Sequence, residues 1–105
     1  MSRALRVELE ALEELREAAV WYESKRPGLG VELIEAVERT AERVREMPAA
    51  FPMVLEHPRV RRAHVRRFPY VIVFSVREDV IHVLAYAHGK RRPLYWLGRV
   101  VQEDE

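Results

Sequence analysis

Between Arg59 and Arg92 the chain carries three short apolar runs, rich in Val, Ile, Tyr and Phe and separated by turn-forming breaks. This pattern predicts an antiparallel strand meander. A two-residue turn at Glu78-Asp79 sets Ser75 opposite His82 and Val71 opposite Tyr86. A second at Phe68-Pro69 sets Arg66 opposite Val71 and Arg62 opposite Ser75. Alternation then gives one face Ala63, Val65, Tyr70, Ile72, Phe74, Val76, Ile81, Val83 and Ala85. The other receives Arg62, His64, Arg66, Val71, Val73, Ser75, His82, Leu84, Tyr86 and His88, because side chains point to opposite sides with period two. The first face reads as core. The second reads as a basic surface, bearing His and Tyr over an apolar floor, and function is expected there.

Upstream, Ala4 to Glu8 alternates and predicts a first strand. From Glu10 to Lys25 the period is helical, with Leu12, Leu15, Ala19 and Tyr22 on one stripe and Glu13, Glu14, Arg16, Glu17 and Glu23 opposite. Trp21-Tyr22 resembles a binding pair, but at this spacing Tyr22 belongs to the core stripe. Pro27-Gly28-Leu29-Gly30 breaks the helix, and a second runs from Leu29 to Met47 on a stripe of Leu33, Val37, Ala41 and Val44. So short a link predicts antiparallel neighbours. Phe51, Met53 and Leu55 are expected to seal a core edge, and Leu94 to Val101 to add a short strand or turn. The fold class is therefore α+β in two layers. A helical hairpin covers one face of an antiparallel sheet in the order β-α-α-β-β-β, and the other face stays open.

The 105 residues suffice for one domain spanning 1–105, with the acidic end at 102–105 expected to fray. With 49% hydrophobic and 33% charged residues the chain reads as an ordinary globular one. It has no cysteine, which removes disulfides and thiolate metal sites and suits a reducing cytoplasm. No apolar run is long enough for a membrane span. A net charge of +1 conceals an asymmetry. Residues 1–56 hold 8 basic against 12 acidic side chains, and residues 57–105 hold 10 against 5. The second half thus favours an anionic partner, either nucleic acid or an acidic protein segment. The four histidines, His57, His64, His82 and His88, lack close ligand spacing, so neither a metal nor another cofactor is expected.

Several motifs in order carry a family resemblance. They are Ala19-Val20-Trp21-Tyr22-Glu23, Arg26-Pro27-Gly28-Leu29-Gly30, Glu35-Ala36-Val37 and Pro48 with Phe51-Pro52. Arg61-Arg62, Arg67-Phe68-Pro69-Tyr70, the run Val80 to Ala87, and His88-Gly89-Lys90-Arg91-Arg92-Pro93 follow. From about Ala4 to Trp96 the chain resembles the RelE/ParE superfamily of toxins from bacterial type II toxin–antitoxin modules. The resemblance implies that the first strand joins the sheet beside the last. It implies a cytoplasmic protein that arrests growth, as in plasmid stabilisation, and a cognate antitoxin that wraps and neutralises it. It also implies one of two targets. ParE-like members inhibit DNA gyrase, while RelE-like members enter the ribosome and cut mRNA.

An mRNA endonuclease needs a group to activate the 2′-hydroxyl, cations for the phosphate and a proton for the leaving oxygen. Arg62 and Arg66 could neutralise the phosphate, His88 could move protons, and Tyr86 could stack a base or share in proton transfer. His64, His82, Lys90, Arg91 and Arg92 are candidates for holding the target or its backbone. A strand-end packing role for His88 stands beside the catalytic one, and His64 and His82 read first as surface strand residues. The His-Gly-basic-x-Pro ending is common among ParE-like branches, so gyrase inhibition is placed ahead of mRNA cleavage. A degenerate member that only binds antitoxin or RNA is the third reading.

Overall fold

A computed structural model describes residues 3–100. Strand β1 (Ala4–Val7) leads into helix α1 (Leu9–Lys25) and helix α2 (Leu29–Glu46). A 3-10 turn at Pro48–Ala50 precedes β2 (Met53–Val54), β3 (His57–His64), β4 (Tyr70–Arg77) and β5 (Val80–His88), and a second such turn spans Leu97–Arg99. The sheet order is β1-β5-β4-β3-β2. Neighbours are antiparallel except β1, which lies parallel to β5. The two-layer α+β arrangement stands as expected, with the helical hairpin on one face and the first strand beside the last.

The hairpin closes tightly at its link. Gly28, at φ +91°, takes the left-handed turn that only glycine adopts without strain. The Glu23 carboxylate accepts the backbone N–H groups of Gly28 (2.8 Å) and Gly30 (3.0 Å), which the start of α2 would otherwise leave unpaired. A Cβ on Gly30 would lie 2.5 Å from the Ala19 carbonyl oxygen, so glycine sets how closely the helices approach. The α2 stripe is as expected, with Leu33, Val37 and Val44 buried. The α1 stripe is rotated. Ala11 and Ala18 are its buried residues, with Leu15 and Tyr22 half-buried, while Leu12 is 42% exposed. Small residues let α1 sit close to both β5 and α2, and that turns Leu12 outward.

Two features change the strand register. The β3–β4 connection is a four-residue loop, 66–69, closed by the Val65 N–H donating to the Tyr70 carbonyl at 2.9 Å. Arg66 is therefore a loop residue and faces no strand partner. Arg62 pairs with Val73, and Ser75 pairs with Val60. On β5 the Glu78-Asp79 turn sets Arg77 against Val80 and Ser75 against His82 as expected. Both turn residues have positive φ, 52° and 66°, the pairing of a tight hairpin. Between Val83, which pairs with Phe74, and Ala85, which pairs with Val73, Leu84 is an extra residue. This β-bulge shifts the alternation beyond it. Ala85 therefore leaves the helix side, and Tyr86 and His88 enter it.

Two cores result. Beneath the helices lie Leu33, Val37, Ala63, Val65, Ile72, Phe74, Ile81, Val83 and Tyr86. On the opposite face Val60, Val73, Leu84, Ala85 and Trp96 form a second cluster, with Leu94, Tyr95 and Val100 packed against it. That face is thus partly covered by the segment after β5. Phe51 packs edge-on to Phe74 at 6.1 Å, but Leu55 is 93% exposed and seals nothing. The expectation of a frayed end at 102–105 lies outside the described residues.

Candidate functional site

Of the four residues proposed for phosphodiester chemistry, Tyr86 and His88 line one hollow beside Arg91, and Arg62 and Arg66 lie outside it. Arg62 projects from β3 on the face away from the helices, and Arg66 sits exposed in the β3–β4 loop. Tyr86 is buried on the helix side at 5% exposure, where burial pushes its hydroxyl up to about 12. Tyr86 pairs with Ile72, and Val71 pairs with Ala87, so the row of Arg66, Val71 and Tyr86 does not exist. The row of Arg62, Ser75 and His82 keeps only its second contact. His88 is the last residue of β5 and pairs with Tyr70. His64 is exposed beside Arg62, and His82 is half-buried farther along the same face.

The loop after β5 is built around His88. Its Nδ1 accepts the Lys90 backbone N–H at 2.9 Å, so the neutral ring carries its proton on Nε2. The ring meets Tyr70 edge-on at 5.1 Å, and the Gly89 N–H donates to the Pro69 carbonyl at 2.9 Å. The two loops at this end of the sheet are thereby fixed together. On the other side of the β3–β4 loop, Arg67 donates to Glu32 of α2 at 3.0 Å. Arg67 and then Arg26 hold the Glu32 carboxyl below the usual carboxylate range.

Between α1 and this end of the sheet runs a groove of about 600 Å³, lined by Trp21, Tyr22, Pro69, Tyr70, His88, Gly89 and Lys90. Trp21 is 55% exposed, meets Tyr22 edge-on at 5.0 Å and carries Lys25 over its ring at 4.9 Å. Tyr22 and Tyr70 both have raised pKa values; burial is the main cause, joined at Tyr70 by Tyr22 and Glu14. Both therefore stay neutral hydroxyl groups near pH 7. The groove offers aromatic walls, hydroxyls, an imidazole N–H and an ammonium group.

Beside it lies a polar cluster absent from the sequence reading. β1 ends at Val7, so among the described residues β5 has no strand neighbour along Leu84–His88 on that edge. Side chains take the strand's place. Glu14 accepts the Tyr86 backbone N–H at 3.1 Å, and Arg99 donates to the Leu84 carbonyl at 2.9 Å. The two then meet at 3.1 Å, with side chains only 13% and 16% exposed. Arg91 lies 3.9 Å from Glu14 and stacks over Tyr95 at 3.9 Å. Burial, and then Glu14, push the Tyr95 pKa up. Glu14 was assigned to the solvated side of α1, yet it lies three residues after Ala11 and four before Ala18, on the buried face. Among the predicted cations, Arg91 is thus occupied with the fold, while Lys90 and Arg92 are exposed.

Comparison with known proteins places this architecture. The model for the ParE toxin of type II toxin–antitoxin systems, parDE, matches residues 5–93. The Toxin ParE2 proteins of two Mycobacterium tuberculosis strains, CDC 1551 / Oshkosh and ATCC 25618 / H37Rv, are each 29% identical over 94 residues. Those matches cover 89% of this chain and 88% of theirs. A solved chain from the chromosomal ParDE system of P. aeruginosa superposes with a TM-score of 0.73 at 17% identity. It covers 83% of this chain and 96% of that one, a likeness of fold. With a family match over nearly its whole length and the same helical hairpin on the same sheet, the chain belongs to the ParE toxins of type II toxin–antitoxin systems.

Proposed function

We propose that this toxin arrests growth in the cytoplasm by binding DNA gyrase rather than by cutting RNA, and that its cognate antitoxin neutralises it. The observation that carries the choice of target is the separation of the cleavage candidates. Arg62 and Tyr86 lie on opposite faces of the sheet, and Tyr86 is buried with a pKa near 12. General acid–base work near pH 7 calls for groups poised near that pH and within reach of one phosphate. What the fold does display is a half-exposed tryptophan beside a rigid groove. Exposed aromatic anchors of that kind dominate protein–protein binding energy.

The test pairs two assays on the purified toxin. Gyrase supercoiling is expected to be inhibited by the wild type and to recover with Trp21→Ala, by about tenfold or more in inhibitory concentration. mRNA added to a translation extract is expected to stay intact. Codon-positioned cuts that vanish with His88→Ala would instead establish the ribosome-dependent nuclease.

A further inference from the structure

The rings that wall the groove beside Trp21 stand across one another. Tyr22 meets Trp21 at 89° and Tyr70 at 65°, and Tyr70 meets His88 at 87°. A nucleic acid strand stacks its successive bases on open ring faces. Here the crossed rings form a box instead, and Lys25 already lies over the Trp21 ring at 4.9 Å. A box of this kind fits one aromatic side chain, since aromatic pairs favour edge-to-face contact.

The rim of the groove is positive. Its lining contains Lys90 and no carboxylate, and Lys25 and Lys90 are the only lysines of the chain. The β3–β4 loop and the loop after β5 contribute Arg66, Arg67, Lys90, Arg91 and Arg92, and no acidic residue. Two of these cations are answered, Arg67 by Glu32 and Arg91 by Glu14. Arg66, Lys90 and Arg92 are exposed and form no ion pair among the described residues. Glu14 and Glu17 line the adjoining smaller hollow, where Arg99 and Arg91 meet the first of them. Lysines offer point charges on flexible stems, suited to carboxylates that approach from several directions.

We infer that the groove receives an acidic, extended segment of the toxin's protein target, with one aromatic side chain in the box and flanking carboxylates on Lys25, Lys90 and Arg92. The inference rests on the reading that the toxin binds a protein at this groove, and it adds the chemistry of what binds. The hydroxyls of Tyr22 and Tyr70 and the His88 Nε2–H are donors within the lining, matched to backbone carbonyls of such a segment.

The experiment follows full-length toxin binding a fluorescein-labelled peptide, Gly-Asp-Glu-Phe-Glu-Asp-Gly, by fluorescence anisotropy. Wild type is expected to bind it about tenfold or more tighter than the same peptide with Ser for Phe, or with Lys for each acidic residue. Lys25→Glu/Lys90→Glu is expected to lose about tenfold in affinity and to bind with a shallower salt dependence. Arg39→Gln/Arg43→Gln on α2 is expected to change neither. Thermal melts accompany each variant, and Lys90→Gln, expected to lose about threefold, replaces the double variant if that does not fold. The Trp21 indole and Gly89 amide resonances are expected to shift as peptide is added, and excess peptide is expected to relieve inhibition of gyrase supercoiling.

Equal affinity for the lysine peptide, or unchanged affinity in the folded lysine variant, would overturn the inference. So would tighter binding of an oligothymidylate at equal charge concentration, or peptide binding at the groove that leaves gyrase inhibition intact. In each case recovery of supercoiling with Trp21→Ala would leave the proposed target standing. A wild type that does not inhibit gyrase would overturn that target and not the acidic occupant, which the binding series tests by itself.

Discussion

The two halves of β5 solve one problem in different ways. From Val80 to Val83 the strand lies between β4 and β1, its backbone paired on both sides. From Leu84 to His88 it keeps β4, but its outer edge is capped by the Glu14 carboxylate and the Arg99 guanidinium. The first half alternates as a strand should. The second opens with a bulge, swings Tyr86 under α1 and packs Leu84 and Ala85 beneath Trp96. An open strand edge invites unwanted pairing. Capping it with side chains closes the edge while leaving room for the groove beside α1.

Breaking the bulge is expected to have the largest effect. Leu84 is fully buried against the Trp96 cluster. Leu84→Ala should cost about 3 kcal/mol through lost burial and a residual cavity. Urea unfolding followed by Trp96 fluorescence measures this. A loss under about 1 kcal/mol would mean that the segment after β5 rests only loosely on the sheet.

Removing the cap comes second. Glu14→Ala leaves the Tyr86 N–H without an acceptor and strips Arg99 of its anion, at a cost of about 2 kcal/mol. Hydrogen exchange separates the halves of β5. The Tyr86 amide is expected to exchange faster by more than the global loss of stability explains, while Ile81 and Val83 follow the global change alone. Uniform acceleration along the strand would show that the carboxylate stabilises the fold without capping the edge.

This difference also explains how much the sequence could tell. The helical hairpin, the Glu78-Asp79 turn and the core positions of the meander from Ala63 to Val83 follow from periodicity, apart from Val76, which is 39% exposed. Beyond Val83, Leu84, Ala85 and Tyr86 are all apolar and the strand is covered on both sides. Nothing in their order marks where alternation shifts. Tyr86 and His88 were therefore assigned to the wrong face, and Arg66 was drawn into a strand by a turn taken two residues too short. Arg62, His64, Ser75 and His82 were placed on the correct face, since a four-residue loop in place of a two-residue turn keeps the alternation and the bulge at Leu84 lies beyond them. Glu14 was misread for a different reason. The true contact face of α1 runs through its alanines, whose small side chains weigh little beside Leu12 in a hydrophobic pattern.

The smallest effect at neutral pH is expected from Tyr86→Phe, and it becomes informative only in alkali. The hydroxyl sits on the side that the bulge created, at 5% exposure, with its pKa raised from 10.0 to about 12 by burial. The folded state therefore holds this proton more tightly than the unfolded chain does. Its contribution is complete below pH 10 and is lost as pH rises through the folded value near 12. The two-unit difference corresponds to about 2–3 kcal/mol at 1.36 kcal/mol per unit. Urea unfolding at pH 9 and again near the folded pKa should show the wild type losing more stability than Tyr86→Phe across that interval. Tyr95 and Tyr70 also have raised pKa values and remain in both proteins, so their contributions cancel in the difference. Parallel losses would mean that the Tyr86 hydroxyl already reaches water, and that the far half of β5 is no more closed than an ordinary sheet edge.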